Sequence, residues 1–475
     1  MKFVKRILVF CPLLVCSLTQ LVAATVTWDG GGGNSSWETA ANWSSNVLPG
    51  VSDDVVITGS GEIVYSSGNT SVRSLQSSRG LTITGGTLNL TAGPSSVQGA
   101  LKLQGGTFSI RGVGTSFTAT STISNTGGSV YAREGASVTL SSLTTVAADK
   151  PGHILFGAYD SGSLFSLPNL AEAGVQNFYQ FQLQAFDGAQ LSAPKLTNII
   201  GAVGIVVDGP NAQIDLSGFS GTLRNNSSGS ARVEARNGGA VLLPNVTAYD
   251  RVSLSIRGDS SVPISQIRSF QEATLTLNSR TNTFPNLTNL VNSSVFVENS
   301  ARIAMPGVTQ FVRTNSGTIT LGVYDEGSYL ELPNLTSVKA QPFYQVELFA
   351  YSGELRLPVL NSVDGAVDIF ADAGGVVSLP GLQGTLANLR EGSAYIEARN
   401  DGSVLIPGVT DLQNINLRLR DGSNIPTAQL RSFRGAELLL DASVGNFPAL
   451  TNIQGSSITL EGGAELTLNG VTEWA

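Results

Sequence analysis

Apolar and polar residues alternate one by one over short stretches along most of this chain. In "SYLELPNL" (328–335) and "VELFAYSGELRLPVL" (346–360) apolar side chains fall on nearly every second position. That is the period of a strand with one buried face. Between such runs the alternation continues, as in "YQFQLQAF" (179–186) and "AVDIFADA" (366–373), and no stripe of helical period is visible. A Gly or Asn precedes many runs and supplies the positive φ of a tight turn. The runs recur at about 20–28 residues: "EGASVTLSSLTTV" at Glu134, "SGSLFSLPNL" at Ser161, "DGAQLSAPKLTNI" at Asp187, "NAQIDLSGF" at Asn211 and "GGAVLLPNVT" at Gly238. Several short strands per fixed repeat predict stacked coils, an all-β parallel β-helix. Pro in "LPNL" suits a strand end or corner, because it cannot donate to a ladder.

A longer period is written over the short one. "AYDSGSLFSLPNLAEA" (158–173) returns as "VYDEGSYLELPNLTSV" (323–338), 165 residues later. Phe178-Tyr179-Gln180 returns as Phe343-Tyr344-Gln345, Glu234-Ala235-Arg236-Asn237 as Glu397-Ala398-Arg399-Asn400, and Arg268-Ser269-Phe270 as Arg431-Ser432-Phe433. The offset drifts only to 163. The chain therefore divides into a leader at 1–24, a Trp/Gly-rich cap at 25–57, Gly/Ser/Thr-rich coils at 58–127, long repeats at 128–292 and 293–455, and a partial third repeat at 456–475. About seven coils per long repeat, at roughly 4.8 Å each, predict a rod somewhat under about 100 Å long. A leucine-rich repeat is the rival fold, since "LPNLTSV" looks like one. That fold needs a fixed Asn, and here Pro-Asn alternates with Pro-Lys, Pro-Gly and Pro-Val.

Composition narrows the setting. Lys2, Lys5 and Arg6 precede an apolar run from Ile7 to about Leu18, and Val22, Ala23 and Ala24 offer small residues for cleavage. This reads as a secretory signal peptide cut after Ala24. Both cysteines, Cys11 and Cys16, lie in it, so disulfides play no part in the mature fold. No other run is long enough for a transmembrane helix. Without the leader, 24 basic residues face 35 acidic ones, a net charge of −11 with only four lysines. Such a balance argues against nucleic acid, whose phosphates need neutralising.

The segment "TVTWDGGGGNSSWETAANWSSNVLPGVSDDVVI" (25–57) holds Trp28, Trp37 and Trp43. Its W-x-G-G-G-G, W-x-x-A-x-N-W and P-G-x-x-D-D-V-V-I elements resemble the start of secreted bacterial β-helix proteins of the autotransporter-passenger and surface-adhesin kind. The resemblance is close over Trp28–Ile57 and generic beyond. It implies export, a right-handed parallel β-helix and a surface or matrix role, and no catalytic residue. An autotransporter carries a membrane β-barrel after its repeats. Here the third unit has just begun at Ala475, and either Trp474 covers the last coil or the array is longer.

The candidate chemistry is sparse. His153, the single histidine, has no partner in sequence that would make it a general base. Polysaccharide-cleaving enzymes use two or three carboxylates on one face. Asp364, Asp368 and Asp372 stand four apart, which on an unbroken strand is one face. Asp160 with Asp325, Asp208 with Asp372, and Glu234 with Glu397 recur in both repeats, which favours a role in the fold. Asp53 and Asp54 could contribute to a calcium site, although calcium takes six to eight oxygens. The three tryptophans either plug the first coil or form a sugar platform. Tyr159, Tyr179, Tyr324 and Tyr344 recur at the long period. Facing outward they would make a multivalent ligand track, and facing inward a core stack. The reading is a secreted, non-enzymatic β-helix at the cell surface or outside it. Its expected partners are a glycan, a matrix or surface protein, or further copies end to end. No cofactor beyond calcium is expected. A polysaccharide lyase or glycoside hydrolase is the alternative.

Overall fold

The computed structural model describes residues 23–148, 153–175, 180–278 and 280–474. The expected cut after Ala24 falls in the first strand, Ala24–Thr27. The rest of the leader lies outside the described residues.

The chain is a β-solenoid of about 18 turns, 52% strand and almost without helix. A typical turn contains three strands. His153–Tyr159, Leu164–Ser166 and Glu172–Val175 complete one circuit before Gln180–Phe186 pairs in parallel with the first of them. Rung-to-rung separation runs from 18 residues (Asn69 with Thr87) to 29 (Ala24 with Asp53).

One face is continuous. Its parallel sheet runs from Asn69–Val72 to Ser457–Glu461 in 18 described strands. The two other faces are each divided into shorter sheets. On one of them pairing thins to single bridges, Ala240 with Ser261 and Ser403 with Asn424, just ahead of Pro263 and Pro426. Proline lacks the donor that would continue those ladders.

Alternation sorts the residues of the long sheet. Phe156, Leu183, Ile205, Val233, Leu254, Leu275, Val295, Leu321, Leu348, Ile369, Ile396 and Leu417 pair rung to rung and are all buried. This ladder is the spine of the core. Each fully buried aliphatic side chain contributes about 1.5–3 kcal/mol over its exposed state. Turns between faces use left-handed backbone. Asn237 and Gly238 have φ of 54° and 87°, a geometry glycine adopts freely and asparagine tolerates.

The first coil is closed by tryptophan. Trp28, Trp37 and Trp43 are buried and meet edge to face at 5.0 and 4.8 Å, and the Trp43 indole N–H donates to the Trp37 carbonyl at 2.8 Å. They present no open platform. At the other end Trp474 is 66% exposed and Leu460 49% exposed, so Trp474 does not cover the last coil.

Candidate functional site

Side chains that point out of the long sheet form columns along the rod, because the rungs are in register. On the second repeat three columns matter. One reads Thr320, Glu347, Asp368, Tyr395 and Asn416. The next reads Gly322, Phe349, Phe370, Glu397 and Arg418. The third reads Tyr324, Tyr351, Asp372, Arg399 and Arg420. Each residue follows from period-two alternation on strands Thr318–Tyr324, Gln345–Tyr351, Val367–Asp372, Tyr395–Ala398 and Asn416–Arg420.

Where the first two columns meet the third there is a cleft of about 280 Å³ lined by Tyr324, Glu347, Phe349, Asp368, Phe370 and Tyr395. Phe349 stacks on Phe370 at 5.1 Å, and Tyr324 meets Phe349 at 5.1 Å. All three rings are half-buried. Gly322 keeps this end clear: a Cβ there would lie 3.0 Å from both Phe296 and Tyr324.

The carboxylates of the cleft differ from Glu397 and Asp372 beside them on this face. Glu397 sits among Arg418, Arg420 and Arg399 at 3.5, 3.7 and 3.9 Å. Glu347 accepts a hydrogen bond from the Thr320 hydroxyl at 2.9 Å. Asp368 is 1% exposed and accepts from the Tyr395 backbone N–H at 3.2 Å and from the Gln345 side-chain amide. Neither Glu347 nor Asp368 has a basic group at ion-pair distance among the described residues. Burial pushes the Asp368 carboxyl up to about 7. The charges of Glu347 and Glu397 push the same way, against the Tyr395 N–H and Arg418.

The three aspartates proposed from spacing therefore separate. Asp368 and Asp372 share an unbroken strand, but Asp364 ends another one, Ser362–Asp364. Asp364 is gripped by Arg390 at 2.5 and 2.6 Å, which holds its pKa down. Burial raises the Asp372 pKa. Bonds from Arg399 at 2.7 Å and Asn400 at 2.8 Å more than offset this, leaving it below the ordinary value. Only Asp368 lines the cleft. The recurring carboxylates repeat their contacts as well as their positions. Asp208 binds Arg236 at 2.7 Å as Asp372 binds Arg399. Asp160 and Asp325, at φ of 70° and 71°, each accept a backbone N–H from the previous coil at 3.1 Å.

Tyr159 and Tyr324 face outward from the long sheet. Tyr159 packs between Tyr131 and Phe186 at 5.7 and 5.3 Å, under Arg133, and its hydroxyl donates to Gln184 at 2.6 Å. Tyr324 lines the main cleft. Tyr344 is half-buried and lines a shallower depression with Phe343, Gln345 and Gly392. Tyr179 lies outside the described residues. His153 is exposed at a strand end. Asp53 accepts the Gly50 N–H at 2.7 Å, and Asp54 is bound by Arg73 and Ser74. No group of three or more His, Cys, Asp or Glu that could hold a metal ion occurs among the described residues, and no described helix is long and apolar enough to cross a membrane.

Sequence reasoning missed Glu347, Phe349, Phe370 and Tyr395. The usable signal was the outward half of two repeated strands: "YQFQLQAF" against "YQVELFAY", and "AVGIVVD" against "AVDIFAD". Inward letters are kept or exchanged among apolar residues, whereas outward Gln182, Gln184, Gly204 and Val206 change chemistry, to Glu347, Phe349, Asp368 and Phe370.

Comparison with protein-family models, with curated proteins and with solved structures gives no match to this chain.

Proposed function

We propose that this protein is a secreted, surface-associated β-solenoid that binds glycans, with the Glu347–Asp368 cleft as its main site. One observation carries the reading: a half-buried aromatic column runs beside two hydrogen-bonding carboxylates that have no basic partner among the described residues. Aromatic rings cover the apolar C–H surface of a sugar, and carboxylates accept from its hydroxyls. The leader-like segment at 1–24 and the surface-adhesin-like opening support export. The solenoid supports an extended, adhesive or structural role. The test is retention of residues 25–475 on immobilised polysaccharides. Binding that survives Tyr159→Ala but is lost on Phe349→Ala with Phe370→Ala supports the reading. Equal retention of the double variant removes the cleft from it.

One observation favours a second reading, a polysaccharide-cleaving enzyme. Glu347 and Asp368 are cross-strand neighbours, with rungs about 4.8 Å apart. One of the pair holds a proton near neutral pH. A raised acid beside a second carboxylate is the arrangement of glycoside hydrolysis. New reducing ends that vanish on Asp368→Ala would establish it. Retention without new ends leaves the binding rod.

A further inference from the structure

The two long repeats act as an internal control for the cleft. Aligned through the rungs, Gln182 corresponds to Glu347, Gly204 to Asp368, Gln184 to Phe349, Val206 to Phe370 and Arg232 to Tyr395. In the first repeat this patch is closed by glutamine–glutamine hydrogen bonds and one ion pair. Gln182 donates to Gln180 and Gln184 to Gln182, at 2.6 and 2.7 Å, and Arg232 pairs with Glu234 at 3.4 Å. In the second repeat two carboxylates have been gained and one arginine lost at equivalent rungs. The one arginine gained nearby, Arg418 in place of Ser255, is committed to Glu397 at 3.5 Å. Arg399, which lies over Phe370 at 4.7 Å, is committed to Asp372.

Partly buried carboxylates without a counter-ion destabilise a fold, and solenoids ordinarily pair them. Among the described residues no cation pairs with these two carboxylates, and a ligand can supply one. Calcium is a poor fit, because two carboxylates fall short of its oxygen shell and no third acid joins them. An organic ammonium fits better. It needs two or three acceptors beside apolar surface, which Glu347, Asp368 and the Tyr324–Phe349–Phe370 column provide.

Building on the glycan reading above, we infer that the cleft selects a polysaccharide bearing free amino groups, one ammonium lying between Glu347 and Asp368 and the sugar's C–H face against Phe349. The coupling to protons supports this. A cation between the two carboxylates favours ionised Asp368, so binding near pH 7 releases a proton from it. Glu397 and Arg418 face the same group and stay paired with each other.

The test is calorimetric titration of residues 25–475 with three β-1,4-linked hexamers: glucosamine, N-acetylglucosamine and glucose. The free-amine hexamer is expected to bind about tenfold or more tighter than the glucose hexamer. That preference should weaken with added salt. Repeating the titration in buffers of different ionisation enthalpy should show that the native chain releases more protons, net of uptake by the sugar amine, than Asp368→Asn does. Glu347→Gln with Asp368→Asn should bring the amine hexamer to the affinity of the glucose hexamer. Both substitutions remove charge without a basic partner and are expected to leave the fold intact, so loss of binding with an unchanged circular dichroism spectrum reports the site. Equal binding of the amine and glucose hexamers overturns the charge inference and leaves the glycan reading standing. No binding of any hexamer overturns both. Polylysine bound as tightly as the amine hexamer overturns the sugar part, since the cleft would then read any ammonium.

Discussion

The first and second long repeats share a backbone and differ on one face. Seven rungs of the long sheet carry each repeat, and the inward ladder stays aliphatic or aromatic throughout. Turn aspartates, the Asp–Arg–Asn clusters at Asp208 and Asp372, and the contacts of the outward Tyr159 with Tyr131 and of Tyr324 with Phe296 are duplicated. The divergence that builds the cleft falls on outward positions of three consecutive rungs, flanked by the outward exchanges of Arg133 for Glu298 and Ser255 for Arg418. The first repeat fills them with glutamines, glycine, valine and arginine. The second fills them with acids and aromatics. Inward positions are constrained by dense packing and by the rungs above and below. Outward positions answer mainly to solvent or to a partner. A duplicated solenoid therefore shows its functional rungs as outward differences between copies.

The largest effect expected is on binding. Restoring first-repeat residues with Glu347→Gln, Phe349→Gln, Asp368→Gly and Phe370→Val should abolish glycan retention. Circular dichroism should remain that of a β-solenoid, because both sets are already compatible with this backbone. A chain that still binds would place the site elsewhere on the rod.

Next comes the pH dependence of stability. The Asp368 carboxyl sits at about 7 in the folded chain and near 3.9 when unfolded. Below about pH 4 both states are protonated and the group costs nothing. Between about 4 and 7 the unfolded chain has released the proton and the folded chain has not, so stability falls as pH rises. Asp368→Asn should therefore stabilise by up to roughly 4 kcal/mol above pH 7, with the gain shrinking to nothing near pH 4. Denaturant titrations at pH 4, 6 and 8 read this directly. A gain independent of pH would mean that the cleft is more solvated than its geometry indicates. Gly204, the first-repeat counterpart, predicts no such dependence there.

The duplicated ion pairs give a graded comparison. The Asp372 side chain is 6% exposed and that of Asp208 is 26% exposed. Asp372→Ala should cost about 2–3 kcal/mol, the worth of charge-assisted hydrogen bonds away from water. Asp208→Ala should cost about 1 kcal/mol or less, as surface pairs do. Equal midpoint shifts would show that the second pair owes nothing to its burial.

The smallest effect lies in the core. Tyr249 in the first repeat is buried, and its hydroxyl has no hydrogen-bond partner among the described residues. Leu412 is its counterpart in the second repeat. Tyr249→Phe should raise stability by about 1 kcal/mol, the relief of an unsatisfied buried hydroxyl. A loss would mean that the hydroxyl is engaged in solution.

Much of this molecule was written in its sequence. Period-two alternation predicted strands, the recurrence at about 20–28 residues predicted coils, and the 165-residue echo predicted a duplicated block of seven rungs. These are local or periodic properties, and a parallel ladder converts them directly into structure, since each rung packs only on its neighbours. What the sequence left open depended on register. Whether Tyr159 and Tyr324 pointed in or out turned on where each strand began, because a shift of one residue exchanges the faces. Asp364, Asp368 and Asp372 looked alike in spacing, and only the turn between Ser362–Asp364 and Val367–Asp372 sent one to Arg390 and one to the cleft. Glu347 and Asp368 are 21 positions apart in the chain and neighbours across a rung. Alternation determines which residues a strand shows to solvent. Stacking alone decides which of them meet, and so where an unpaired charge comes to lie beside an aromatic column.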